Sequence, residues 1–478
     1  MSLINLILNT DSYKPSHFLQ TPPGTVNQFS YIESRGGVYD KTEFVGLQPL
    51  LKETLCKPIT REDIEEAAEF LAAHGEPFNR EGWEYILEKY DGYLPLSIKA
   101  VPEGLIIPTH NVLVTVESTD DKCAWLVSYC ETMILRAVWY MTTVATQSWS
   151  IKQVIKEALE LTGDVAGLPF KLHDFGARGV SSYESAGLGG AAHLVNFMGS
   201  DTITGILFAR KYYNTKAMVG FSIPAAEHST ITPFGRKGEA EAYRNMIKQF
   251  SKPGSIYAVV SDSYDIYNAC ENIWGKELKA EVIAGGGMLV VRPDSGHPAT
   301  VVLKVVQILD KQFGSVVNAK GYKVLNHVRV IQGDGINEES IREILKALID
   351  AGYSADNVAF GMGGALLQGI NRDTQKFAMK CSAIAINGFH EQDDDASWGN
   401  KTTRWYDVYK DPITDSGKRS KRGRLKLVRT LSDGKYYTLP EDDFIKTPTE
   451  NVLVEVFRNG KILKEYTFEE VRANSERA

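Results

Sequence analysis

Four aspartates, Asp174, Asp262, Asp294 and Asp334, each stand just past a short apolar run. One aspartate in that position is ordinarily a helix N-cap. Four gathered at one rim would form a carboxylate cluster that needs cations or sugar hydroxyls beside it. Arg178 and Arg292 lie close in sequence to two of them, and a guanidinium fork matches phosphate oxygens. Gly361-Met-Gly363-Gly364 follows another apolar run and precedes Ala-Leu-Leu-Gln. Backbone N–H groups in such a turn reach a phosphate unobstructed, at the positive end of a helix. Acid, guanidinium and glycine loop together point to a phosphorylated sugar and a divalent metal. His228, in Pro224-Ala-Ala-Glu227-His228-Ser229-Thr230, lies among small residues beyond a strand. It reads either as a structural hydrogen-bonder or as a catalytic group.

Other chemistries find less support. There is no H-E-x-x-H and no G-x-x-x-x-G-K-[ST], which disfavours a zinc protease and a P-loop ATPase. Gly187-Leu-Gly189-Gly190-Ala191-Ala192 fits a dinucleotide fingerprint, but a Ser/Glu-rich stretch precedes it and no acidic residue follows at the required distance. It reads as a tightly packed helix start.

The elements that must carry these groups recur from about residue 168 as apolar strand, polar turn and helix-like stretch. The strand ends are Lys171–Gly176, Gly220–Pro224, Ile256–Asp262, Leu289–Gly296, Val328–Gly335, Val358–Gly364 and Cys381–Gly388. Strands alternating with helices imply parallel pairing, and seven such units fit a (β/α) barrel better than a doubly wound sheet. Residues 1–165 read as a mixed α/β domain. It has a helix over Arg61–Ala73, strands and turns over Leu94–Val116, and two buried helices over Trp125–Leu161. Residues 166–388 form the barrel-like catalytic domain. Residues 389–478 carry an acidic loop (Glu391–Trp398), a basic stretch (Lys418–Lys426), and a tail, Tyr436–Phe468, alternating like antiparallel strands that pair with the N-terminal domain.

The chain has 478 residues, 43% hydrophobic and 24% charged, with a formal net charge of -7. That size suits two or three domains, and the acidic balance argues against a nucleic-acid partner. The apolar start is short, lacks a basic flank and runs into Asp11, and no run reaches membrane-spanning length. Five cysteines without metal spacing fit reduced thiols in a cytoplasm.

Read in order, the motifs resemble the nicotinamide phosphoribosyltransferases of the type II phosphoribosyltransferase family. The resemblance is carried by Asn9-Thr-Asp-Ser-Tyr13-Lys14, Tyr31-Ile-Glu-Ser-Arg35, Leu172-His-Asp-Phe175-Gly-Ala-Arg178 and Pro224-Ala-Ala-Glu-His228. It continues through Val260-Ser-Asp262-Ser-Tyr-Asp, Val291-Arg292-Pro-Asp294-Ser-Gly, Gln332-Gly333-Asp334-Gly and Lys418-Arg-Ser-Lys-Arg-Gly-Arg.

The resemblance implies an irregular (β/α) barrel packed against a mixed α+β domain formed by both chain ends. It implies transfer of phosphoribosyl from phosphoribosyl pyrophosphate to nicotinamide in NAD salvage, with Mg²⁺ and with ATP hydrolysis through a phosphohistidine at His228. It further implies a homodimer with shared active sites. Phe175 and Tyr13 of the other subunit would sandwich the pyridine ring, and Asp201 would face the carboxamide. Asp294 and Asp334, the latter beside Gly333, would hold ribose hydroxyls, with Asp262 near pyrophosphate and metal. Arg178 and Arg292 would meet phosphates, and Gly363 and Gly364 would cradle the 5′-phosphate. From the other subunit, Arg35, Arg372, Lys380, Lys410 and Lys418 would complete the anion site.

This chain departs from the animal enzymes in a shorter Arg35–Phe44 loop, a longer acidic stretch over Phe389–Arg404, and Met362 in place of a usual serine. Alternatives are a nicotinate phosphoribosyltransferase, which Asp201 opposes, an idle ligand-binding protein on the same fold, and a barrel aldolase.

Overall fold

The computed structural model describes residues 5–388, 403–414 and 418–477; the acidic loop Glu391–Trp398 lies outside them. The chain divides into two compact units. One comprises Met1–Thr146, Lys211–Thr215 and Asn371–Ala478, the other Gln147–Arg210 and Lys216–Ile370.

The second unit is built on six parallel strands. Their order is Gly199–Ser200, Leu172–Asp174, Val358–Met362, Val328–Gln332, Met288–Arg292, Ile256–Val260. Val, Ile and Leu dominate these runs because both faces are covered. Between strands run helices with one apolar stripe. Pro298–Phe313 buries Val301, Val302, Val305, Val306 and Leu309, and Glu338–Asp350 buries Ile341, Ile344, Leu345 and Leu348. Each starts where its sequence directs, the first on Pro298 at N1, the second on an Asn337/Ser340 capping box.

Gly220–Pro224, expected as a strand, is irregular. Pro224 has no N–H to give a ladder. The segment nevertheless bonds to both edges of the sheet. Ser200 N–H donates to Phe221 O at 3.0 Å, and Phe221 N–H to Met198 O at 2.7 Å. On the other side Ala258 N–H donates to Pro224 O and Ala226 N–H to Ala258 O, both at 2.9 Å. The curled sheet thereby becomes an irregular barrel. Ala258, Val290 and Ile331 fill its interior, with Phe175, Ile223 and Ala359 packed on them.

Cys381–Gly388, expected as the seventh barrel strand, belongs elsewhere. Phe377–Asn387 pairs antiparallel with Thr25–Ser34 and with Thr403–Asp407. An apolar run does not reveal the direction of its partner.

The first unit holds that antiparallel sheet of seven strands. Their order is Thr403–Asp407, Phe377–Asn387, Thr25–Ser34, Val112–Ser118, Leu96–Ala100, Val454–Arg458, Lys461–Ile462. The tail does pair with the N-terminal region, Val454–Arg458 against Leu96–Ala100. The first expected helix is Arg61–His74, opened by a Thr60/Asp63 capping box. Trp125–Leu161 resolves into Trp125–Tyr129 and a 32-residue helix, Glu131–Thr162. Lys211–Thr215 joins this unit because the fully buried Glu103 accepts the Tyr213 hydroxyl at 2.5 Å and Gln48 Nε2 donates to Tyr212 O at 2.6 Å. Among the described residues no helix is long and apolar enough to cross a membrane, and all five cysteines are free.

Candidate active site

The strand ends of the barrel unit bring a specific set of groups together. Phe175 leaves strand Leu172–Asp174 and is fixed by its N–H to Met362 O at 2.9 Å. Its ring lies over the neighbouring strand, where a Cβ on Gly361 would come within 1.9 Å of it. Only glycine allows that approach. The Arg292 guanidinium stands 5.9 Å from the Phe175 ring centroid and forks onto Asp294, Nε to Oδ1 at 3.2 Å and Nη2 to Oδ2 at 2.8 Å. Gly333 borders this pair, since a Cβ there would lie 3.2 Å from Asp294 Oδ1 and 3.5 Å from Arg292 Nε. Asp334 follows, exposed, its carbonyl held by Gln332 Nε2 at 2.9 Å.

The glycine loop and Arg178 also meet. The turn Ala177–Gly179 packs on Gly364, whose Cα would lie 3.1 Å from a Cβ on Gly179. Arg178 is exposed on that turn, and a Cβ on Gly364 would have open space in front of it. Backbone N–H groups there remain approachable.

His228 opens a short helix, His228–Ile231, beyond the closing segment. Its Nε2 is 3.0 Å from Asp262 Oδ1, and the Ser295 hydroxyl donates to Asp262 Oδ2. The Asp262 side chain is only 5% exposed, whereas His228 is 45% exposed. An ionised Asp262 accepting from Nε2–H selects the tautomer whose Nδ1 keeps a lone pair. Among the described residues no group of three or more His, Cys, Asp or Glu converges as a metal cage. A carboxylate such as Asp262 suits a Mg²⁺ that arrives largely ligated by phosphates and water.

Asp201 lies exposed just past strand Gly199–Ser200, and its N–H donates to Asp174 O at 2.9 Å. Ser222, on the closing segment, donates to Asp201 Oδ1. Nothing in the sequence singled out Ser222, because a lone serine carries no spacing signal. Asp174 itself is a correction. It points away from the rim and is fully buried, accepting Gly176 N–H on Oδ1 at 2.7 Å. Burial pushes its carboxyl up to about 6, against the opposing Gly176 and Thr202 contacts and with help from Asp201.

The remaining expected site residues belong to the other unit. Lys380 faces Tyr31 across the antiparallel sheet. Burial lowers its pKa; Glu131 opposes this, and the charges of Arg35, Lys14 and Arg372 add to it. Arg35, Arg372 and Lys380 therefore form one cationic field, joined by Lys14, which pairs with Glu131 at 2.5 Å. Tyr13 is 53% exposed beside Lys14. Lys410 N–H donates to the Ser420 hydroxyl at 2.8 Å and Ser420 N–H to Lys410 O at 2.9 Å, which fixes the basic stretch after Lys418.

Comparison with known proteins finds relatives over the whole chain. Residues 170–461 match the model of the Nicotinate phosphoribosyltransferase (NAPRTase) family, and residues 5–98 that of the Nicotinamide phosphoribosyltransferase N-terminal domain. The chain is 57% identical over 480 residues to a nicotinamide phosphoribosyltransferase of Xanthomonas campestris pv. campestris, covering 100% of this chain and 99% of that protein. A nicotinamide phosphoribosyltransferase of Acinetobacter baylyi is 30% identical over 507 residues, covering 98% and 96%. In fold, the chain is similar to the crystal structure of nicotinate-nucleotide pyrophosphorylase from Pyrococcus furiosus. The TM-score is 0.61 at 16% identity, over 99% of this chain and 95% of that one.

Proposed function

The chain belongs to the nicotinamide phosphoribosyltransferase family, and on that premise we propose how its residues perform the transfer. The reaction moves phosphoribosyl from phosphoribosyl pyrophosphate to the ring nitrogen of nicotinamide, releasing pyrophosphate, in NAD salvage. Breaking the bond from C1 to pyrophosphate builds positive charge on the ribose. Asp294 and Asp334 stabilise that charge and hold the ribose hydroxyls, and a carboxylate already oriented, as Asp294 is by Arg292, costs little to reorganise. Arg178, Gly363 and Gly364 hold the 5′-phosphate. Arg292 neutralises phosphate oxygens, and Arg35, Arg372, Lys380, Lys410 and Lys418 neutralise the remaining anionic charge. The nicotinamide nitrogen needs no deprotonation, so stacking on Phe175, and on Tyr13 of a second copy, acts by orientation.

Mg²⁺, held by pyrophosphate with Asp262, would supply charge neutralisation to the leaving group. The active species is a homodimer that shares its sites, in a cytoplasm. ATP phosphorylates His228 on Nδ1, the nitrogen left free by Asp262, and the phosphohistidine shifts the pyrophosphate site toward product.

The single observation that carries the choice of base is the exposed Asp201 carboxylate, oriented by Ser222. It accepts from an amide NH₂ and repels a carboxylate. The test is product formation from nicotinamide or nicotinate, with and without ATP, in wild type and His228→Ala. Nicotinamide is expected as the preferred base, with ATP raising turnover or affinity in wild type only. An equal ATP effect in the variant refutes the phosphohistidine, and preference for nicotinate refutes the base assignment.

A further inference from the structure

We propose that Glu33 is a positioning residue that sets Arg35 and Lys421 for the phosphate oxygens of phosphoribosyl pyrophosphate; this rests on the reading above that Arg35 meets those oxygens. Glu33 lies near the end of strand Thr25–Ser34, and its side chain is 3% exposed. One carboxylate oxygen takes Arg35 Nε at 3.3 Å, and the other pairs with Lys421 Nζ. Lys421 is held twice more. Its N–H donates to the Tyr31 hydroxyl at 2.8 Å, and its ammonium lies 5.9 Å from the Tyr31 ring centroid. One buried carboxylate thus ties the basic stretch to Arg35, the residue just past the end of its own strand.

The arrangement leaves the guanidinium half used. Arg35 Nη2 is buried and has no hydrogen-bond partner among the described residues. Lys380, Lys14 and Arg372 act on the same field. Long cationic side chains lose much rotamer freedom when they clamp an anion. Fixing two of them before the anion arrives removes that loss from the binding step. A negative group beside a phosphate site is otherwise unfavourable. The two accounts of Glu33 therefore predict opposite signs. As a local charge only, its removal strengthens phosphate binding; as a positioning group, its removal weakens it.

The experiment measures KM for phosphoribosyl pyrophosphate, KM for nicotinamide and kcat in Glu33→Gln, Lys421→Met, the double variant and Arg35→Met. Glu33→Gln is expected to raise KM for phosphoribosyl pyrophosphate about tenfold, the scale of one charge-assisted contact. KM for nicotinamide and kcat should hold. Lys421→Met should match it, and the double variant should add little, because both remove one clamp. A lower or unchanged KM for phosphoribosyl pyrophosphate in Glu33→Gln, with Arg35→Met raising it, overturns the proposal. An unchanged value in Arg35→Met instead overturns the reading of the anion site. If Glu33→Gln does not fold, Lys421→Met decides alone, and an unchanged KM there overturns the role of the clamp.

Discussion

Asp201→Asn exchanges one oxygen for an amide nitrogen while keeping the side chain's shape, so it isolates charge in the choice between nicotinamide and nicotinate. In the wild type Ser222 engages Oδ1, which leaves Oδ2 for the base. On the proposed reading nicotinamide would donate its NH₂ there, a charge-assisted bond worth about 1.5–3 kcal/mol. Nicotinate would set a second carboxylate against the first, and two like charges about 4 Å apart cost about 4 kcal/mol at an effective dielectric of about 20. Asp201 is open to solvent in the free chain, which screens part of that repulsion until the ring is stacked. With solvent cutting the repulsion to about 1 kcal/mol, the two terms give a discrimination of about 2.5–4 kcal/mol, or roughly 70- to 1000-fold. In Asp201→Asn the ratio of kcat/KM for nicotinamide to that for nicotinate should fall by most of this factor. The gain should come largely from faster use of nicotinate. Rates of mononucleotide formation with each base alone, and with both in competition, measure it. An unchanged ratio would refute the assignment, whatever happened to the absolute rates.

Two further changes probe the supports of the site. Gly361→Ala would drive a methyl to 1.9 Å from the Phe175 ring, so the ring must move at a cost of about 1–3 kcal/mol. KM for nicotinamide should rise with KM for phosphoribosyl pyrophosphate kept, and unchanged values for both would show that the ring does not orient the base. Asp174→Asn tests the buried carboxyl. Its pKa of about 6 lies above the ordinary aspartate value of 3.8, so the folded state holds the proton more tightly than the unfolded chain. Its contribution to stability is full below about pH 4 and is lost as pH rises through about 6. The asparagine variant stays neutral, and relative to wild type it should gain about 3 kcal/mol between about pH 4 and pH 7. Denaturant titrations at both ends measure this, and an equal difference at both would exclude Asp174 as the titrating group.

The apolar runs made the barrel strands legible, because buried parallel strands leave continuous hydrophobic sequence. Direction and neighbours were not legible. Phe377–Asn387 carries an apolar run like those of the barrel strands and pairs antiparallel in another sheet. The parity of side chains was readable in one case and decides it. Leu172 and Asp174 share one face of their strand, and His173 and Phe175 the other. Phe175 therefore reaches the rim while Asp174 is buried behind it. Glu33 lay in plain view two residues before Arg35, but its partner Lys421 is far along the chain. Only the folded sheet joins them.

The segment Gly220–Ala226 shows why an irregular element belongs in this site. A regular strand there would point alternate side chains in and out and spend every N–H on its neighbours. Instead it bonds to one sheet edge at Phe221 and to the other through Pro224 and Ala226. Its hydroxyl at Ser222 meets Asp201, and six residues on His228 meets Asp262. Ser222 and His228 thus stand on either side of Pro224 and Ala226, the positions where the segment bonds to Ala258 at the sheet edge.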